Sequence, residues 1–185
     1  MDGVWHKAIE VPGSVALNSG GYAELTSVSC ATPGNCTAGG YYLAGTTSYE
    51  AFVVTEVNGT WRKAIRVPGI VAPPAGAHVG PTAQVTSVSC ASAGNCTAGG
   101  WYTDSADLSQ PFLVDEVNGT WQHAVKVRGI DALNQGHNAG VYSVSCGSAG
   151  NCSALGWYTD TSQDYRLFAV GKARLRHADN LLPAG

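Results

Sequence analysis

Thr86-Ser87-Val88-Ser89-Cys90-Ala91-Ser92-Ala93-Gly94-Asn95-Cys96-Thr97-Ala98-Gly99-Gly100 decides the fold, because the chain contains this stretch three times in variant form. Thr26-Ser27-Val28-Ser29-Cys30 and Tyr142-Ser143-Val144-Ser145-Cys146 open the other two copies, and each runs on through a short turn to Gly-Asn-Cys. Phe52, Phe112 and Phe168 follow at matching distances, and Trp5, Trp61 and Trp121 stand in matching frames. Self-similarity at this period marks a repeat architecture, in which one supersecondary unit is copied and stacked. The chain reads as a single domain with repeats at about residues 13–67, 68–127 and 128–175.

Each unit resolves into four short segments rich in β-branched and aromatic residues, punctuated by Gly, Asn, Pro and Ser, which is the signature of strands and turns. In the second copy the strands fall at about 85–91, 96–103, 112–117 and 121–127, and no segment has helical periodicity. Asn118-Gly119-Thr120, like Asn58-Gly59-Thr60, joins the third strand to the fourth. Asn-Gly accepts positive φ and so favours a tight hairpin. The cysteines flank the first turn, where a bridge locks the register.

Six cysteines in three identical Cys-x5-Cys spacings predict local disulfides Cys30–Cys36, Cys90–Cys96 and Cys146–Cys152, and with them an oxidising, secreted setting. Each closes a short loop, contributing about 2 kcal/mol by loop entropy. The spacing is not the Cys-x2-Cys knuckle of zinc sites and no histidine accompanies each pair, so no metal is expected. No cofactor motif appears. With 44% hydrophobic and 12% charged residues the chain suits a packed core. A net charge of −3 and no basic run argue against nucleic acid or an anionic membrane as partner. No apolar stretch approaches a membrane helix, and Met1-Asp2-Gly3 leads into repeat sequence without a signal-peptide pattern.

Small residues first and aromatic residues last is the order of a β-propeller blade, whose inner strand is crowded and outer strand broad. Ser-Val-Ser-Cys, turn, Cys-x-Ala-x-Gly resembles the Cys-containing β-propeller repeats of actinobacterial proteins across all three copies. The resemblance implies an all-β propeller fold and carries no catalytic residues. The third copy lacks the Glu-Val-Asn-Gly-Thr-Trp of an outer strand, whereas Val4-Trp5-His6-Lys7-Ala8-Ile9-Glu10-Val11-Pro12 matches Thr60-Trp61-Arg62-Lys63-Ala64-Ile65-Arg66-Val67-Pro68 and has no blade before it. Three blades are too few for a ring. The expectation is a homodimer forming six blades, residues 4–12 of each chain completing the third repeat of the other; the alternative is a monomeric β-trefoil.

The disulfide turn and the Asn-Gly turn are tight, so the long connections share the opposite edge, where binding sites are usually built. There Trp101-Tyr102-Thr103-Asp104 recurs as Trp157-Tyr158-Thr159-Asp160, with Tyr41-Tyr42 in the first copy. An aromatic face for sugar C–H groups beside a carboxylate for hydroxyls predicts a multivalent, lectin-like carbohydrate-binding protein through Tyr41, Tyr42, Trp101, Tyr102, Asp104, Trp157, Tyr158 and Asp160. Packing of Trp101 and Trp157 between blades is the competing role. Two other classes use the same face. An enzyme would draw acid–base chemistry from His78, His137 and Asp131, although no nucleophile motif accompanies them. A protein-binding scaffold would use the low charge and the many Tyr and Trp. The sequons Asn35-Cys36-Thr37 and Asn58-Gly59-Thr60 fall in tight turns.

Overall fold

The computed structural model describes residues 4–70, 80–81 and 83–172. In chain order the elements are α1 (Ser14–Leu17), β1 (Ala23–Thr32), β2 (Asn35–Ala44), β3 (Ser48–Val57), β4 (Thr60–Trp61), β5 (Ile65–Arg66), β6 (Gly80–Pro81), β7 (Ala83–Ser92), β8 (Asn95–Thr103), β9 (Ser109–Val117), β10 (Thr120–Trp121), β11 (Val125–Lys126), α2 (Ile130–Leu133), β12 (Ala139–Ser148), β13 (Asn151–Thr159) and β14 (Tyr165–Lys172). They form three antiparallel meanders, β1-β2-β3-β4 with β5, β7-β8-β9-β10 with β11, and β12-β13-β14; β6 adds a short parallel pairing to β3. The repeats therefore stand as separate sheets rather than sharing one barrel, as a trefoil would require.

Two details depart from expectation. The fourth strand is broken: β10 and β11 each pair with β9, but between them the Ala124 N–H leaves the ladder and donates to Pro68 O at 2.8 Å. Ala64 does the same toward Pro12 O, so the outer strand of one unit is stitched to the connector entering that unit. Single helical turns α1 and α2 occupy the long connections, each entered through a glycine at φ about +80° (Gly13 +82°, Gly129 +81°). One turn is too short to leave a periodic pattern in the sequence. The third sheet has three strands among the described residues, and residues 4–10 lie exposed along the first sheet without joining any ladder.

The disulfides bridge Cys30–Cys36, Cys90–Cys96 and Cys146–Cys152, each joining residues in direct register across the first hairpin. The two tight turns of a unit are zipped together. Gly119 N–H donates to Gly94 O at 2.8 Å and Asn118 N–H to Asn95 Oδ1 at 3.2 Å, with Gly59, Gly34, Asn58 and Asn35 repeating the pair. The Asn35 side chain of one sequon is thus engaged in the fold.

The Ser-Val-Ser motif explains how the sheets stack. The innermost strand of each sheet has an edge whose N–H groups need partners. Ser27 Oγ accepts from Val88 N–H and Ser29 Oγ from Cys90 N–H, both at 3.0 Å, and Ser87 and Ser89 repeat this toward Val144 and Cys146. Thr26 and Thr86 sit at β-bulges, where the ladder skips one residue, and their hydroxyls donate to Val85 O and Val141 O at 2.6 Å. Bulges re-aim side chains, and here they aim a hydroxyl at the next sheet. Apolar packing follows the same geometry. Ala51 and Val53 of the first sheet share a core with Val85, Val88, Ala98, Phe112 and Val114 of the second, and Leu113 packs on Val141, Val144, Ala154 and Phe168 of the third.

The two junctions differ in charge. Glu116, 3% exposed, accepts from Thr55 at 3.0 Å and Thr37 at 3.4 Å across the first junction, whereas Lys172 pairs with Asp115 across the second. Burial pushes the Glu116 carboxyl up, against the two threonine hydrogen bonds that favour its charged form. A carboxyl raised in the folded state binds protons there first, so folding is favoured as pH falls through the raised value and penalised above it. Glu116→Gln is expected to raise stability by about 1 kcal/mol at about pH 8, the gain shrinking by about pH 4 where the native carboxyl is itself protonated. Thermal melts at the two pH values measure it; a destabilised variant at the higher pH would refute the sign.

Candidate functional site

The long connections emerge at one end of all three sheets, opposite the disulfide and Asn-Gly turns. At that end of the first sheet, Glu24 stands in register with Tyr41. Glu24 Oε2 accepts from the Tyr41 hydroxyl at 2.6 Å and from the Tyr22 hydroxyl at 3.2 Å. Tyr49 closes the group, its ring edge-on to both Tyr41 and Tyr22 at centroid distances of 5.5 and 5.8 Å. The hydrogen bond to Glu24 pushes the Tyr41 hydroxyl well above the usual phenol range, so it stays a donor at any physiological pH.

The third sheet repeats this arrangement with other residues. Trp157 stands in register with Gly140, as Tyr41 does with Glu24, and a Cβ on Gly140 would sit 3.2 Å from the indole nitrogen, so the glycine makes room for the larger ring. Tyr165 and Tyr142 flank Trp157 at 5.3 and 6.5 Å, and both tyrosines are exposed. In the second sheet Trp101 pairs with Gln84 and Pro111 and is half-buried. The two end sheets therefore each carry a half-buried ring, Tyr41 or Trp157, flanked by two further rings, of which Tyr49 and Tyr165 occupy corresponding positions while Tyr22 and Tyr142 do not; the middle sheet carries a single indole.

The neighbouring residues of the sequence motif have other work. Strand alternation turns Tyr42, Tyr102 and Tyr158 to the opposite face from Tyr41, Trp101 and Trp157, where they pack on the cores as Tyr42 against Phe52 and Tyr102 against Phe112. Tyr42 also donates to Glu50 at 2.5 Å. Tyr42 is buried, and Tyr102 and Tyr158 are half-buried against the cores. Asp104 closes its own hairpin, accepting from Ala106 N–H, Leu108 N–H and Gln110 Nε2 at 2.9 to 3.1 Å. Burial raises its pKa, but these hydrogen bonds outweigh it and hold the carboxyl below the usual range. Asp160 accepts from Ser162 and Asp164 N–H and from Arg166, whose guanidinium holds its carboxyl low. Both carboxylates are spent on loop closure. Glu24, 17 residues from Tyr41 in sequence, was legible only through strand register, and so were Tyr22, Tyr49, Tyr142 and Tyr165.

Of the catalytic candidates, His137 and Asp131 are described and each has local contacts of its own. His78 lies outside the described residues. His137 is exposed at φ +67°, its backbone holding the turn after α2, and Asp131 pairs with Lys126 at 2.7 Å on the surface. Among the described residues no group of three His, Cys, Asp or Glu side chains is arranged to hold a metal ion, and no helix is long and apolar enough to cross a membrane.

No protein-family model and no curated protein matches the chain. Among solved structures it is similar to Hadza microbial sialidase Hz136, with a TM-score of 0.60 at 7% sequence identity over 88% of this chain. The chain spans 37% of that protein's length. At this identity the likeness speaks for the fold: an all-β arrangement of antiparallel sheets similar to part of a sialidase, an enzyme of propeller architecture.

Proposed function

We propose that the chain is a carbohydrate-binding protein built as half of a six-bladed propeller, two copies making the ring and presenting their binding sites on the long-loop face. The observation that carries the binding reading is the pair of aromatic clusters, Tyr22-Tyr41-Tyr49 with Glu24 and Tyr142-Trp157-Tyr165, each built around a half-buried ring at the same strand position, Tyr41 or Trp157, with exposed tyrosine beside it. Aromatic faces stack on the apolar faces of sugar rings, and a carboxylate beside them accepts hydroxyl hydrogen bonds. The similarity to part of a sialidase supports the architecture, and the disulfides suit an extracellular setting. The half-ring reading is supported by two uncovered apolar faces: Leu25 and Val28 on the first sheet (48% and 63% exposed), Leu155 and Leu167 on the third (56% and 83%).

A glycan array probed with the full chain tests the function. Binding is expected, and Tyr41→Ala with Trp157→Ala should weaken it at least about tenfold, roughly the 1.4 kcal/mol of one lost stacking contact, while His137→Ala leaves it unchanged. No glycan bound, or binding indifferent to both aromatic changes, would overturn the reading.

A further inference from the structure

Between the second and third sheets an apolar groove of about 230 Å³ is lined by Leu113, Val125, Val127, Val144, Ala154 and Val170. The first junction shows what belongs there. On the second sheet the residues corresponding to Val144, Ala154 and Val170 are Val88, Ala98 and Val114, and Trp121 and Ala124 of the outer strand pack against that cluster, the indole Nε1 donating to Thr55 of the first sheet at 3.4 Å. Trp61 and Ala64 fill the same place on the first sheet, beside Ala38 and Val54. The third unit has no such pair: the sequence after Lys172 does not repeat Asn-Gly-Thr-Trp, and no tryptophan follows Trp157. One Trp-x-x-Ala is left over in the chain. It is Trp5 with Ala8, and Trp5 is 98% exposed.

We infer that this groove is the seat of residues 4–10 of a second copy, with that copy's Trp5 and Ala8 filling the space that Trp121 and Ala124 fill in the second unit. The inference rests on the half-ring reading and goes beyond it by naming the segment, the slot and the register. In the described units β5 pairs Ile65 with Val53 and β11 pairs Val125 with Leu113. Transposed to the third sheet, the second copy's Ile9 lies opposite Ala169, which is exposed and in register with Leu155. The connector geometry fits. Outer strands run straight into a Val-Pro or Val-Arg step that anchors on the following sheet, as Val67 does in the core of the second, and Val11 is already packed on the first sheet of its own chain while residues 4–10 before it stay exposed and pair with no strand. The segment thus belongs to a unit preceding the first sheet.

The junction between copies is not a copy of the internal ones. A Cβ on Gly39 or Gly99 would meet Val85 or Val141 at 2.6 or 2.7 Å, and the third unit has Leu155 at this position. It also has Tyr142 where Thr26 and Thr86 donate across the junction. Both changes hold the inner strands further apart and replace hydroxyl stitching by apolar contact with Leu25 and Val28. The outer-strand slot lies between the second and third sheets of one copy, so this wider spacing does not alter it.

The test mixes two single variants, Ile9→Cys and Ala169→Cys, under mild oxidation. A covalent dimer is expected only from the mixture, and the sedimentation mass of the unmodified chain is that of a dimer. Trp5→Ala should weaken dimerisation about thirtyfold or more, as for a buried aromatic anchor, with an unchanged circular dichroism spectrum because the indole is solvent-exposed in the isolated chain. A monomer at about 100 μM, far above the dissociation constants of specific interfaces, overturns both the half-ring and the strand exchange. A dimer that neither cross-links in the mixture nor responds to Trp5→Ala overturns the exchange alone. A bridge within one chain carrying both cysteines, in a monomer, shows the segment folding back on its own third sheet and also overturns the exchange.

Discussion

Gly100→Ala is expected to remove a large share of the folding stability. A Cβ at this position would lie 1.9 Å from the carbonyl oxygen of Gln84 and 3.0 Å from Phe112 Cε1. The first obstacle is backbone, which cannot turn aside as a side chain can. Gly100 pairs with Val85 next to the bulge at Thr86, where the hairpin strands come together most closely. Relieving the clash means parting β7 from β8, which opens the hairpin and lifts Val85, Val88 and Ala98 out of the shared core. Overpacking of a flexible core site costs 1–3 kcal/mol; without a route to relaxation we expect about 4 kcal/mol or more, against the 5–15 kcal/mol of a typical domain. Gly40 and Gly156 occupy the same position in the other units, with 1.9 and 2.2 Å to Glu24 O and Gly140 O. Gly147, where a Cβ would meet nothing within 4 Å, is the control. Urea unfolding of Gly100→Ala beside Gly147→Ala measures the difference, and equal midpoints would refute the close approach.

The double variant Ser87→Ala with Ser89→Ala should separate the third sheet from the second without disturbing either hairpin. Both hydroxyls accept from backbone N–H groups of β12, Val144 and Cys146, at 3.0 Å. Val144 is 6% exposed, so its N–H has little access to water once the hydroxyl is gone. A buried donor left without a partner costs about 1–3 kcal/mol, so the pair should lose roughly 3 kcal/mol. Hydrogen exchange gives the sharper readout. Amides of β12 should lose protection while those of β1 and β2 keep theirs, because the first junction uses Ser27 and Ser29 instead. Uniform loss of protection across all three sheets would mean the hydroxyls do not act locally. The corresponding Ser143 and Ser145 face no following sheet and are exposed, so replacing them by alanine is expected to cost the isolated chain little.

Much of this was legible in the sequence because repetition amplifies weak signals. One Asn-Gly or one Ser-Val-Ser means little, but two Asn-Gly turns and three Ser-Val-Ser-Cys stretches in phase define the hairpins, the disulfides and the all-β class. The binding candidates fared less evenly. Tyr41 and Trp157 lie half-buried among other rings, whereas Tyr42, Tyr102 and Tyr158, one residue further on, pack against the cores, since strand alternation sends adjacent side chains to opposite faces. Asp104 and Asp160 look available as free carboxylates until the loop folds back and donates its own N–H groups to them. The one-turn helices α1 and α2 left no periodic trace, and the broken outer strand follows from a hydrogen bond to a connector more than fifty residues away in sequence, Ala64 to Pro12.

The sequence by itself determined the repeat, the strand order within each unit and the pairing of the cysteines, because those rest on local spacing and on turns that few residues can form. Only the tertiary structure decided what the repeated side chains are for. Serines that look like strand filler accept the edge N–H groups of the next sheet, and a glycine is required where a Cβ would come within 1.9 Å of the facing strand's carbonyl oxygen. Trp5 stands exposed at one end, and among the described residues an apolar groove lies between the second and third sheets. Such roles depend on which surfaces are brought face to face across roughly sixty residues of chain, and no local pattern encodes that juxtaposition.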